Sequence, residues 1–354
     1  MDTSLFSIDA MIAGGPLAFA IAFFLSRRLA RAADLPGLVD YPNARSLHQR
    51  PVPRTGGLAM LAGMTVGMSP AMFAITDPPL RIFGFVLAGL APLALVSLVD
   101  DRQGVAARWR ILVHLLAAVS LLAAGLDPDH LELPGLAWPV SVWATIFLTL
   151  LFIVWMINLY NFMDGMDGFA GGMAVVGFAT LGWLGRADPG FMVFCLTVAA
   201  ASGGFLVQNF PPAKIFLGDT GSTALGFLAA ACGLWGSKVG LFPFWVALLV
   251  FSPFITDATV TLLRRLLRGE KVWEAHRTHY YQRLVLLGWG HRRTVLVEYA
   301  LMLACAGSAL LAVRLSPAGQ LALLVGWVVV HGLLMGGVEW LERRRATAST
   351  SPDQ

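Results

Sequence analysis

Five short segments of this chain are crowded with groups that can do chemistry, and each interrupts an otherwise strongly apolar sequence. Asp100 and Asp101 stand side by side directly after the apolar run 80–99. Adjacent carboxylates repel one another unless a cation or a substrate proton offsets the charge. Further on, Asn158-Leu-Tyr-Asn161-Phe-Met-Asp164-Gly-Met-Asp167-Gly168 sets two carboxylates three residues apart, with Asn161 and Asp164 at the same spacing. On a helical turn such groups share one face. Gln208, Asn209 and Lys214 precede Phe216-Leu-Gly218-Asp219-Thr220-Gly221-Ser222, which opens a helix. The free N–H groups and dipole of that helix start suit an anion, and Asp219 suits a hard divalent cation. Lys214 can add charge neutralisation.

The other two segments are cationic. Arg45, His48, Arg50 and Arg54 precede Thr55-Gly56-Gly57, which would let a ligand approach the backbone where the next helix starts. His276, Arg277, His279 and Arg283 cluster late in the chain and could bind phosphate or, through two imidazoles one turn apart, a metal. Taken singly, each segment also fits a solvated helix end, a cap or a turn. The two Asn, two Asp and four Gly of 158–172 fit that plainer role least.

The elements that position these groups are membrane spans. The chain is 57% hydrophobic and 13% charged, with a mean hydropathy of +0.71. A soluble domain is about one-quarter charged. Apolar runs, each near the ~20 residues a bilayer requires, fall at 8–26, 57–76, 80–99, 109–125, 139–157, 169–185, 190–208, 221–237, 241–263, 294–313 and 318–340. The expectation is an all-α integral membrane bundle of 10–11 helices, a single domain over 1–342, with a disordered cytoplasmic tail at 343–354. The first run reads as a retained helix rather than a cleaved signal. Cys195, Cys232 and Cys305 read as buried small hydrophobes, and His114 and His331 as packing residues. Asp257 lies inside the run 241–263 and is either functional or paired with Arg264 or Arg265.

Orientation follows from charge. Of 25 Lys and Arg residues, 21 fall in the loops after odd-numbered spans or in the tail; only Arg81, Arg186, Lys238 and Arg314 lie opposite. The positive-inside rule places those loops and the C-terminus in the cytoplasm and the N-terminus in the periplasm. The net charge of +4 is explained by topology and gives no reason to expect nucleic acid binding. All five chemical segments fall on the cytoplasmic side. Carboxylates that handle a polyanionic phosphate need a cation to invert their sign, which implies Mg²⁺ or Mn²⁺. At a bilayer surface one substrate would be a membrane lipid and the other cytosolic. Phosphoryl transfer between them needs mainly positioning and charge neutralisation.

At these motifs the chain resembles the polyprenyl-phosphate N-acetylhexosamine-1-phosphate transferases. The resemblance is carried by Pro42-Asn43-Ala44-Arg45 with His48, Arg54-Thr-Gly-Gly57, Asp100-Asp101, Asn158 to Gly168, Phe216 to Ser222 and the His276 loop, in the family's order over residues 40–284. It implies that the phosphate of undecaprenyl phosphate attacks the sugar-proximal phosphate of a UDP-N-acetylhexosamine and releases UMP. By position it makes Asp219 the magnesium ligand, with Asp101 a candidate second one. Asp100 and Asp101 become the pair that deprotonates or orients the lipid phosphate. Asn161, Asp164 and Asp167 match residues that line the nucleotide site, and Asn158 joins the substrate-binding set. Asn209 and Phe216 contact the nucleoside, Phe216 by stacking on uracil. His276, Arg277 and His279 are directed to the diphosphate or sugar, and Arg45, His48, Arg54 and Lys214 complete the substrate-binding set. The resemblance also implies the bacterial inner membrane and a homodimer.

Peptidoglycan-precursor and enterobacterial members of that family carry adjacent histidines in the last loop, where this chain has His276-Arg-Thr-His279 followed by Tyr280-Tyr-Gln-Arg-Leu284. That pattern resembles the branch priming O-antigen, a part of lipopolysaccharide, or related surface polysaccharides, using GlcNAc or a deoxy sugar such as N-acetylfucosamine or N-acetylquinovosamine. A peptidoglycan-precursor or teichoic-acid role is the alternative. A secondary transporter would instead place ionisable groups near the midplane between repeated halves. A scaffold for polysaccharide assembly would make Asp219 dispensable.

Overall fold

A computed structural model describes residues 3–31, 37–42, 47, 49–75, 77–128, 130–272 and 276–349. Arg45 and His48 lie outside the described residues, so their expected roles have no structural counterpart here. Every apolar run corresponds to helix. The order is α1 Thr3–Leu29, β1 Val39–Asp40, β2 Val52–Pro53, α2 Gly56–Ala74, α3 Leu80–Gln103, α4 Ala107–Ala123, β3 His130–Leu133, β4 Leu136–Pro139, α5 Val142–Phe162, α6 Phe169–Leu184 and α7 Pro189–Asn209. It continues with α8 Gly218–Lys238, α9 Phe244–Val250, α10 Ser252–Leu267, α11 Tyr280–Leu284, α12 Gly290–Ala312 and α13 Pro317–Ser349. The strands form two small antiparallel hairpins in loops, β1 with β2 and β3 with β4, and leave the all-α architecture intact.

Among the described residues, five helical stretches are long and apolar enough to cross a membrane: α3, α5, α7, the run from α11 through α12, and α13. A sixth is the pair α9 and α10, if its halves are taken as one span. The protein is thus an all-α, multi-pass membrane protein. These are fewer than the expected eleven, partly because α8 has no need to be apolar throughout. From Gly218 to Gly236 every residue of α8 except Asp219 is buried, and it packs against α2, α3, α5 and α6. A helix enclosed by other helices meets no lipid, so Thr, Ser and Gly are tolerated on it wherever their polar groups find partners.

Two expectations are corrected. The run 241–263 is not one helix. α9 stops at Val250, and α10 starts at Ser252 with Pro253 in its first turn, bent by 80° from α9. Proline lacks the N–H that a continuing helix would use but fits a first turn. The tail is also more ordered than expected. α13 runs on to Ser349, and the Arg345 guanidinium donates to the Leu286 carbonyl at 3.0 Å. Residues 350–354 lie outside the described residues.

Candidate active site

The site is built around the start of α8. Gly218 has φ +73°, and a Cβ there would come within 2.6 Å of the Arg54 carbonyl oxygen and 3.0 Å of Asp101 Oδ2. Only glycine fits that conformation and that gap. The amides of Gly56 and Gly57, which open α2, donate to the carbonyls of Phe216 and Leu217 at 2.9 and 2.8 Å. A Cβ on Gly57 would lie 2.4 Å from the Gly221 nitrogen. The expectation that Thr55-Gly56-Gly57 admits a ligand is therefore corrected: its small residues admit α8.

Asp101 completes this junction. The Asp219 amide donates to Asp101 Oδ1 at 3.0 Å, and the Thr220 amide and hydroxyl donate to Oδ2 at 3.1 and 3.0 Å. The anion that suits the helix start is the protein's own carboxylate, supplied from α3 as a cap. Asp100 turns the other way. Its Oδ1 accepts from the Val105 amide at 2.6 Å and its Oδ2 from Arg110 Nη1 at 2.8 Å. The same Arg110 nitrogen lies 4.0 Å from Asp219 Oδ2. Arg110 thus bridges the acidic pair and Asp219. Nothing in the sequence marked it beyond its share in the charge bias.

From α5 and the loop after it come Asn161, Asp164 and Asp167. The Asn161 amide donates to Ser222 Oγ at 3.0 Å and also hydrogen-bonds the Asp219 carboxylate. Loss of water, then the charges of Asp219, Asp101 and Asp167, push the Asp164 carboxyl well above the usual carboxylate range. Burial and then Asp101 raise Asp219, which precedes the run 221–237, to about 7. Its side chain is still 36% exposed, so it is open to a ligand. Carboxylates crowded to this degree suit a divalent cation. Among the described residues no three His, Cys, Asp or Glu groups are grouped to hold one unaided. Such an ion would draw its remaining ligands from water and substrate phosphate, which is common for Mg²⁺.

The remaining candidates divide into braces and outliers. Asn209 accepts from the Gly168 amide and donates to the Ile215 carbonyl, both at 2.9 Å. Asp167 accepts from the Ala213 amide at 3.0 Å and pairs with His291 Nδ1 at 3.1 Å. Asn209 and Asp167 therefore fasten the Asp164 loop to the segment before α8. Asn158 donates to the Val154 carbonyl at 2.7 Å and meets His114 Nδ1 at 3.2 Å, so His114 belongs to this polar network rather than to packing alone. Phe216 is half-buried, its amide donating to the Pro53 carbonyl at 2.7 Å. Lys214 is exposed and lines a separate cavity of about 310 Å³ with Arg27, Arg31 and Gln208.

The last loop docks beside this site through Asp257. Its Oδ1 accepts from Thr261 Oγ1 and the Tyr280 amide, both at 3.0 Å, and meets His279 Nδ1 at 3.2 Å; its Oδ2 accepts from the Tyr281 amide at 3.1 Å. The partner is therefore His279 and the start of α11, not Arg264 or Arg265. Arg264 pairs with Glu339, and Arg265 with Glu270 at 2.9 Å. The His279 ring lies 6.3 Å from Phe162 and 4.9 Å from His276, and Tyr281 donates to the Phe162 carbonyl at 3.1 Å. His276 and His279 are thus brought against the end of α5. Arg277 is exposed and lines a different cavity.

Residues 83–237, which hold both the acidic pair and Asp219, match the model for glycosyl transferase family 4. Over 274 residues the chain is 32% identical to a Bacillus subtilis protein named a probable undecaprenyl-phosphate N-acetylglucosaminyl 1-phosphate transferase, covering 76% of this chain and 75% of that one. The chain belongs to the polyprenyl-phosphate N-acetylhexosamine-1-phosphate transferases. The transferase is also 31% identical, over 90% of its length and 86% of the relative's, to a Mycobacterium tuberculosis decaprenyl-phosphate N-acetylglucosaminephosphotransferase. An Escherichia coli K12 undecaprenyl-phosphate alpha-N-acetylglucosaminyl 1-phosphate transferase is 28% identical over 78% of this chain and 76% of that one. The transferase is thus a sugar-phosphate transferase set in a membrane, and the transporter and scaffold readings fall.

Proposed function

We propose that the transferase moves an N-acetylhexosamine 1-phosphate from a UDP-N-acetylhexosamine to undecaprenyl phosphate at the cytoplasmic face of the inner membrane. A phosphate oxygen of the lipid forms a bond to the sugar-proximal phosphorus. The bond from that phosphorus to the bridging oxygen breaks, and UMP leaves with the oxygen. The observation that carries this reading is the convergence of Asp164 and Asp219 with Arg110 at the ends of α5, α8 and α4. Cationic and anionic groups set side by side suit two phosphates and a metal.

Mg²⁺, or Mn²⁺, fits the donor set through Asp219, with Asp164 beside it, and would supply charge neutralisation for the diphosphate. Arg110 supplies a fixed positive charge to whichever phosphate approaches Asp219. Asp100 and Asp101 act by positioning, because each already accepts hydrogen bonds on both oxygens. A phosphate anion is itself a nucleophile, so a general base is not required of either. Asn161 orients Asp219. His276, half-buried, stands where the sugar or the diphosphate would lie, and His279, buried against Asp257, supports it from behind.

The named relatives act with N-acetylglucosamine, which makes UDP-GlcNAc the first donor to test. The His276-Arg-Thr-His279 pattern supports a role in priming O-antigen or a related surface polysaccharide, with deoxy-HexNAc donors next. The test is UMP release by purified protein in nanodiscs with undecaprenyl phosphate, Mg²⁺ and a panel of UDP-HexNAc donors. Lipid-dependent UMP with at least one donor supports the reading, and none across the panel contradicts it.

A further inference from the structure

A cavity of about 510 Å³ opens between α10, α11 and α13. It lies on the far side of α11 from the carboxylates: Tyr280 lines it, whereas the next residue, Tyr281, turns inward onto Phe162 and Phe169. Six arginines and two glutamates line it, an excess of four positive charges. Three of the arginines are neutralised, Arg264 by Glu339, Arg265 by Glu270, and Arg283 by Glu342 at 2.8 Å. For the other three, Arg268, Arg277 and Arg345, no acidic partner is found among the described residues. Guanidinium groups gathered in this way repel one another unless an anion joins them, and phosphate oxygens match their fork of donors.

The surroundings of the cavity are apolar. Leu286 and Leu287 form part of its wall, and Leu266 and Leu267 on α10 are 60% and 78% exposed. α10 therefore alternates leucines with arginines at its end and is bent 80° from the short α9 before it, as suits a helix lying along a membrane surface. Trp289 and Trp340, each capped by an arginine at 4.1 and 3.9 Å, are residues of the headgroup level. Cationic donors beside a leucine shelf at that level fit a lipid better than a free anion.

We propose that this cavity binds the phosphodiester headgroup of a diacyl anionic phospholipid, at a site separate from that of the polyprenyl substrate. Arg268, Arg277 and Arg345 take the phosphate, and the acyl chains lie along Leu266 and Leu267. α11 stands between this phosphate and Asp219, so the bound lipid is not a reactant. It would clamp the end of α13 onto α10 and α11, and so steady the loop that carries His279.

Thermal unfolding in nanodiscs of phosphatidylcholine with increasing phosphatidylglycerol tests this. The wild type should gain roughly 3 °C or more with phosphatidylglycerol. The double variant R268Q/R345Q, at two exposed positions, should lose most of that gain, whereas R186Q/R314Q, with the same change of charge on the opposite face, should keep it. No gain in the wild type, equal gains in wild type and R268Q/R345Q, or equal losses in the two double variants would overturn the proposal. A full gain from inorganic phosphate in phosphatidylcholine alone would overturn the lipid assignment. Displacement of the phosphatidylglycerol effect by undecaprenyl phosphate would overturn the separateness of the site.

Discussion

Asp101 on α3 receives the amide hydrogen of Asp219 at 3.0 Å, so one member of the acidic pair fixes where the helix bearing Asp219 begins. Its neighbour Asp100 fixes Arg110 instead, at 2.8 Å. Two consecutive carboxylates thus hold the two sides of the site, one organising the proposed metal ligand and the other the nearest fixed cation. Their adjacency, costly if both faced water-poor space alone, is offset by donors on opposite sides.

Asp101→Asn puts an amide nitrogen against either the Asp219 or the Thr220 N–H, donor facing donor. The change should lower stability by about 1–2 kcal/mol. Transfer should fall as well, because Asp219 loses its register. Thermal unfolding alongside the transfer assay checks both, and an unchanged melting temperature would contradict the capping role.

Asp219→Asn should separate stability from function. Burial first, then the nearby charge of Asp101, raise the native carboxyl to about 7, and a neutral amide escapes both costs while it stops raising Asp164. Stability should be equal to or above that of the wild type, while transfer drops by about 100-fold or more. A variant that is both inactive and unfolded would show that Asp219 is structural.

Chelation should stop transfer, and Mg²⁺ or Mn²⁺ should restore it, since a hard cation suits the Asp219 and Asp164 oxygens. Full activity in excess EDTA would contradict the metal assignment.

His291 pairs with Asp167 at 3.1 Å and so braces the Asp164 loop from α12. His291→Ala should raise KM for the nucleotide sugar by about 3–10-fold with a smaller effect on kcat, the pattern for lost ground-state binding. Steady-state kinetics read this directly, and unchanged KM would place the Asp167–His291 pair outside the donor site.

Much of this was legible in the sequence, for physical reasons. Apolar runs located the helices because lipid demands them, and motif density located the loops that bring Asp101, Asn161, Asp164 and Asp219 together. Hydropathy did not reveal the break before Ser252, because a proline inside an apolar run leaves the average unchanged. The roles of Asp101 and Asp257 were hidden for another reason. Both cap helices whose first amides lie elsewhere in the chain, and only packing joins them. Arg110 and His291 belong to no motif; their place depends on α4 and α12 docking against the loops. The glycines of Thr55-Gly56-Gly57 signalled close approach correctly but not whose backbone approaches.

The most direct test follows one phosphorus atom. A UDP-N-acetylhexosamine labelled at the sugar-proximal phosphate is incubated with the protein, undecaprenyl phosphate and Mg²⁺. Transfer by this route puts the label in a lipid diphosphate that carries the sugar and releases unlabelled UMP. Label leaving with the uridine as UDP, or remaining in the donor for every sugar tried, would contradict it.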